Sequence, residues 1–303
     1  MKKFMSIFLI VIMVMVILAG CTNDSSNGNT IESDSSNGDG FDTGKTINVV
    51  TREEGSGTRG AFIEIVGILE KDANGNEEDR TYSEAIVQNG TNAVMTTVAG
   101  DEYSIGYISL GSLNDTVKAV KVNGVEATAE NILNNSYEVA RPFNLAYKGD
   151  LNPLAQDFLN FILSSEGQDI VTKEGYVQVD TQASNYESNG TEEGTLVIAG
   201  STSVSPLMEK LVEAYQELNS GVSIEVQSTG SSAGMQSAME GTADIGMASR
   251  ELKDSELAEL NPVVIALDGI AVIVNNNNPV EDLSIDDIKS IYIGETTNWS
   301  EIK

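Results

Sequence analysis

Two arginines bracket the run Arg52-Glu53-Glu54-Gly55-Ser56-Gly57-Thr58-Arg59, and two further hydroxyl-rich runs follow it. These are Gly200-Ser201-Thr202-Ser203-Val204-Ser205-Pro206 and Ser228-Thr229-Gly230-Ser231-Ser232-Ala233-Gly234. Each comes after a β-like stretch (Ile47 to Thr51, Leu196 to Ala199, Val222 to Gln227) and before an amphipathic one. The first turn of a helix carries amides without intrahelical partners at the positive end of the dipole. Glycines there let an oxyanion approach closely, and hydroxyls surround it with donors. One such turn would say little, because Ser, Thr and Gly are ordinary helix caps. Three in one chain, one of them flanked by arginine, point to a tetrahedral anion.

Composition removes most alternatives. The 303 residues include no histidine and a single cysteine, Cys21. That excludes Ser-His-Asp triads, Cys/His nucleophilic pairs and zinc sites built on Cys or His, so no metal or cofactor is expected. An enzyme acting on a phosphate ester would need a nucleophile with a base, or a metal cluster, and neither arrangement is visible. The formal net charge of −29 argues against nucleic acid, which demands a basic surface. An acidic protein that holds an anion must do so through local hydrogen bonds and a few arginines.

These turns need a scaffold, and the chain supplies one after an export segment. Lys2 and Lys3, the apolar run Phe4 to Leu18 and Leu18-Ala19-Gly20-Cys21 form a signal peptide over 1–20. The last four residues resemble a bacterial lipobox, in which Cys21 becomes lipidated and anchors the chain outside the cell membrane. Residues 21–45, rich in Thr, Asn, Asp, Ser and Gly, read as a flexible tether. Two folded segments follow, 46–180 and 195–303, joined by a polar linker over 181–194. Strands are expected at Ile47 to Thr51, Ile105 to Ser109, Phe143 to Tyr147, Leu196 to Ala199, Val222 to Gln227, Val263 to Ala266 and Ile270 to Val274. Helices are expected at Thr58 to Leu69, Ala85 to Val98, Leu154 to Leu163, Gln168 to Glu174, from Pro206 onward, and Ala233 to Glu240. The alternation defines an α/β sandwich with largely parallel sheets.

The residues resemble a known family, the lipid-anchored phosphate-binding receptors of bacterial phosphate ABC transporters. The resemblance runs from about 46 to 303 and is most specific at Arg52 to Thr58, close to that family's Arg-x-Asp/Glu-Gly-Ser-Gly-Thr signature. Gly200-Ser201-Thr202, Thr229-Gly230-Ser231-Ser232, Ala243-Asp244-Ile245-Gly246, Asp268-Gly269 and Trp299 support it. It implies a two-lobed periplasmic-binding-protein-like (type II) fold with the anion in the interlobe cleft, inorganic phosphate as ligand, the permease of an ABC importer as partner, and a monomer. The implied ligands are Arg52, Ser56, Gly57, Thr58, Thr202, Ser203 and Ser231, with Glu54 holding Arg52 in place.

Two departures from the family stand out. The Arg52 motif belongs to the later half of ordinary members, yet here it precedes the Gly200 turn. Two readings fit, a circular permutant in which 181–194 joins the old ends, or a fragment of a recombined gene that left a sensor or remnant. In a permutant one lobe comprises 46–140 plus 266–303 and the other 141–265. The second departure is Arg250, which follows Gly246-Met247-Ala248-Ser249 where many members carry the aspartate that accepts the phosphate proton. Arg250 is then either an added anion ligand or a surface partner of Glu251 or Asp254. The proton acceptor is left to Asp268 or Glu54, and a sulfate- or molybdate-type receptor is the alternative.

Overall fold

A computed structural model describes residues 40–71, 77–188, 190 and 193–302. The signal peptide, Cys21 and the tether up to residue 39 lie outside the described residues. In chain order the elements are β1 (Asn48–Arg52), α1 (Gly57–Ile65), the antiparallel pair β2 (Leu69–Lys71) and β3 (Glu77–Asp79), β4 (Ile86–Gln88), α2 (Thr91–Gly100), β5 (Ser104–Ser109), β6 (Lys118–Ala119), β7 (Lys121–Val122) and α3 (Ala129–Leu133). Then come β8 (Ala140–Lys148), α4 (Pro153–Leu163), α5 (Ser165–Lys173), β9 (Glu193–Gly200), α6 (Ser205–Leu218), β10 (Gly221–Ser228), α7 (Ser231–Glu240), β11 (Ile245–Ala248), α8 (Asp254–Leu257), β12 (Leu260–Val274), β13 (Asp282–Leu283) and α9 (Ile285–Tyr292).

Most strands join one sheet in the order β10-β9-β11-β8-β12-β5-β1-β4. Its two ends are parallel: β10, β9 and β11 at one side, β5, β1 and β4 at the other. Between them β8 and β12 run antiparallel to each other and to their outer neighbours. The expectation of largely parallel sheets therefore holds at the ends and fails at the middle. Val263 to Ala266 and Ile270 to Val274 are pieces of one strand, β12, whose first part pairs with β8 and whose second part pairs with β5.

Apolar side chains sort into two cores along this sheet. Phe143, Leu145, Phe158, Leu196, Leu207, Tyr215 and Met247 pack at the β9 end, while Val49, Phe62, Tyr107, Ile270, Leu283, Ile291 and Trp299 pack at the β1 end. Alternate residues face the other way, as strand geometry requires. Ala146 and Ala248 meet α7, and Val50, Ile108 and Ile273 meet α2. Each end is thus a lobe with helices on both faces, and β8 and β12 pass between them.

Two expectations fail locally, and the linker runs as a surface loop. The helix placed over Ala85 to Val98 is a strand, β4, followed by a helix that begins only at Thr91. Ile86 and Val87 are β-branched and favour a pleated edge, and Gly90 turns the chain with φ of 87°. The tether ends sooner than residue 45, because Phe41 packs its ring against Tyr103 and Trp299. The linker is also held: Ser184 O accepts from Ser165 N at 2.8 Å, and the Tyr186 ring stands edge-on to Phe161. An aromatic ring in a polar tract finds apolar surface, and the backbone follows it.

Candidate functional site

Arg52 ends β1 and is 2% exposed. The strand end is fixed from behind by Tyr107, whose hydroxyl takes the Arg52 amide at 3.2 Å and pairs with Thr51 Oγ1 at 2.8 Å. Phe62 of α1 stacks on that ring with centroids 3.9 Å apart. The guanidinium donates through Nε and Nη2 to the two Glu53 oxygens at 2.7 and 2.8 Å, and again through Nη2 to Thr202 Oγ1 of the other lobe at 3.0 Å. Nη1 is buried and has no hydrogen-bond partner among the described residues. Leaving a buried charged donor unmade is costly, so this corner of the fork is a place for an acceptor.

Hydroxyls from both lobes crowd the same region. Thr58 Oγ1 lies 2.8 Å from Ser203 Oγ, and Thr91 Oγ1 lies 3.2 Å from that same Ser203 Oγ. Ser201 Oγ donates to Ser249 Oγ at 2.8 Å, and the Ser249 amide donates to Ser231 Oγ at 3.2 Å. Ser56 caps α1 by accepting from Arg59 N, so its side chain serves the helix, while the first-turn amides of Gly57 and Thr58 have no partner inside α1. Four helix starts therefore converge, those of α1 and α2 from one lobe and those of α6 and α7 from the other.

The lobes touch at glycines. Gly55 O accepts from Ser232 N at 3.1 Å. A Cβ on Gly57 would fall inside the contact radius of Ser231 Oγ and stand 2.8 Å from Ser249 Oγ. A methyl here overpacks the lobe contact, at a cost of about 1–3 kcal/mol. Gly57→Ala is expected to hold the lobes apart and weaken anion binding by roughly 5- to 150-fold, with the unfolding midpoint nearly unchanged. Calorimetry paired with small-angle scattering on the anion-loaded protein checks both parts.

The other sequence candidates lie elsewhere or do other work. Glu54 is exposed, and its neighbour Glu53 holds Arg52 instead. A residue next to the strand-final arginine folds back onto its fork, whereas Glu54 has already turned outward. Burial pushes Glu53 up, but the Arg52 hydrogen bond and charge, with the Gly90 amide, outweigh it and hold the carboxyl below its ordinary value. Arg250 is no surface residue: its two terminal nitrogens donate to Glu256 at 2.7 and 2.8 Å, and both side chains are nearly buried. Neither surface partner pairs with it through a side chain among the described residues, and Glu251 contributes only its carbonyl.

Asp268 sits in β12 opposite Arg141 of β8. It accepts from Arg141 Nη2 at 2.9 Å and from Ser109 Oγ at 3.0 Å, with the pair fully enclosed. Burial raises Asp268 above the usual carboxylate range against the pull of Arg141. Its two oxygens are thus engaged where the strands cross between lobes. Arg59, the second arginine of the motif, bonds Asp79. Asp244 is local too, accepting the Val197 amide at 2.8 Å. Glu53 and Thr91 are the functional candidates that the sequence did not single out. The signal for Thr91 was Asn89-Gly90-Thr91, a Gly/Thr turn between strand and helix.

Two lobes joined by paired crossing strands, with donors converging between them, define a solute-binding protein. The family model for the PBP superfamily domain matches residues 26–166 and 185–302. Phosphate-binding protein PstS 2 of Streptococcus agalactiae serotype V is 48% identical over 288 residues, covering 94% of this chain and 93% of its own length. Phosphate-binding protein PstS 2 of Streptococcus pneumoniae serotype 4 is 47% identical over 258 residues, 85% of this chain and 88% of its own. The crystal structure of a phosphate ABC transporter, phosphate-binding protein from Streptococcus pneumoniae matches with a TM-score of 0.69 and 47% identity over 85% of this chain and 100% of that one. The chain belongs to the phosphate-binding proteins of the PBP superfamily.

Proposed function

We propose that this protein captures inorganic phosphate between its lobes and delivers it to the permease of an ABC importer. The observation that carries the reading is the unpartnered, buried Nη1 of Arg52 beside hydroxyls from both lobes. Arg52, Gly57, Thr58, Thr202, Ser203 and Ser231 supply the donors, Ser56 shapes the turn and Glu53 orients the fork. Hydrogen bonds to a charged group contribute roughly 1.5–3 kcal/mol each, enough in sum for tight capture without a metal or covalent step. The role is that of a receptor and not an enzyme.

The protein acts on the outer face of the cell membrane, held by lipidated Cys21. One lobe comprises 46–140 with 266–303 and the other 141–265, a division supported by the way the two cores partition near Val139, Phe143, Ile265 and Ile270. A permuted order is supported by the pairing of the segments around Thr46 and Asn298, where Ile47 N donates to Thr297 O at 2.8 Å and Ser300 N to Thr43 O at 2.7 Å. Both lobes of one chain meet at Arg52 and Thr202, which fits a working monomer better than an exchanged dimer or a remnant.

Titration of the chain from Thr22 onward with phosphate is expected to give saturable heat at micromolar or tighter affinity, from a monomer by sedimentation. No heat at millimolar phosphate would sink the assignment.

A further inference from the structure

Arg52 is one of two arginines that the fold holds in the same way. Arg141 of β8 is 3% exposed, and its Nε and Nη2 both donate to Asp268 Oδ2, at 3.3 and 2.9 Å. Its Nη1 is buried and has no hydrogen-bond partner among the described residues. The pattern repeats that of Arg52, whose Nε and Nη2 are taken by Glu53 while Nη1 is left over. In each fork a carboxylate fixes the plane and one donor corner stays open. A planar guanidinium held in this way is preorganised to meet an oxyanion.

Strand β5 ties the two forks together. Its Tyr107 hydroxyl takes the Arg52 amide, and its Ser109 hydroxyl donates to Asp268 Oδ1. Tyr107 and Ser109 are alternate residues, so they face the same way, with Cα atoms about 7 Å apart. Arg141 reaches this spot from β8, where it stands opposite Asp268 and lays its guanidinium over the Phe143 ring, 5.6 Å from the centroid. Burial pushes Arg141 below its ordinary value, and the Arg52 charge pushes the same way, against the pull of Asp268. Two enclosed cations that repel each other, each with a donor unmade, are both relieved by one anion between them. We propose that Arg141 is a second phosphate ligand, its Nη1 donating to a phosphate oxygen that Arg52 leaves free. Asp268 orients Arg141 as Glu53 orients Arg52. The proposal rests on the phosphate reading and deepens it, adding a charged contact from the crossing strands to those from the helix starts.

Crystals of wild type grown with inorganic phosphate test the contact directly. Arg141 Nη1 is expected within about 3.2 Å of a phosphate oxygen. A bound phosphate more than about 4 Å from every Arg141 nitrogen overturns the proposal. In solution, calorimetry with phosphate compares wild type with Arg141→Met/Asp268→Asn, which removes both partners so that neither charge is left enclosed. A circular dichroism melt confirms that this double variant is folded. Loss of one charge-assisted bond is expected to weaken phosphate binding by roughly 10- to 150-fold. A folded double variant that binds phosphate within about threefold of wild type overturns the second ligand and leaves capture at Arg52 intact. If the double variant does not fold, the phosphate crystals decide. Failure of wild type to bind phosphate overturns both readings.

Discussion

Replacing Arg52 with alanine is expected to abolish measurable phosphate binding. The fork offers the buried Nη1 and shares Nη2 with Thr202 across the cleft. Two charge-assisted bonds at about 1.5–3 kcal/mol each correspond to a loss of roughly 10²- to 10⁴-fold. The variant also leaves the half-buried Glu53 carboxylate without its partner, adding repulsion toward the anion. Arg52→Lys keeps a charge but not the planar fork, and should fall between wild type and alanine. Calorimetry reads the loss, and a circular dichroism melt confirms that each variant is folded. An Arg52→Ala affinity within tenfold of wild type would remove Arg52 from the site.

The largest stability effect is expected from Arg141→Met. Arg141 and Asp268 face each other across β8 and β12, with side chains 1% and 0% exposed. Removing one partner of a buried pair typically costs about 3–5 kcal/mol, because the other charge stays enclosed. Urea unfolding should show a loss of that order, and Arg141→Met with Asp268→Asn should recover part of it. Asp268 already titrates above its ordinary value in the folded chain, and the single variant strengthens that shift by removing the opposing cation. A raised folded value means the native state binds the proton more readily, so the variant should regain stability as pH falls from 7 toward 5. A single variant as stable as wild type at pH 7 would show that the pair adds nothing.

The anion turns were legible because their chemistry is local. Arg52, Thr58, Thr202, Ser203 and Ser231 stand at strand-to-helix handovers that composition alone marks, and these the structure brings together. What escaped were features decided by contacts distant in sequence. Asp268 and Arg141 are 127 positions apart, and nothing in either neighbourhood shows that they enclose each other. Arg250 read either as an added anion ligand or as a surface partner of Glu251 or Asp254, its near neighbours in sequence, yet Glu256 two residues beyond Asp254 turns back on α8 and takes both its terminal nitrogens. Thr91 was hidden for a different reason. A helical period was read through Ile86 and Val87, which erased the turn at Gly90 and the helix start behind it.

The 15 residues of β12 form the strand that lies between β5 and β8 and pairs with both. Synthesis runs from the N-terminus, so β1, α1, β4, α2 and β5 are made long before the strand that must sit beside them. The part of the sheet containing Arg52 lacks this neighbour while β8 through β11 are made. Only when Ile270 to Val274 arrive does the waiting half gain its central neighbour, and only then can Ile288, Ile291 and Trp299 close its core. The order of synthesis makes Arg52 one of the last residues to acquire a rigid frame. A folding defect beginning at Ile270 would leave the β8-paired part of β12 in place and strip β5, and with it the motif at Arg52, of its central neighbour.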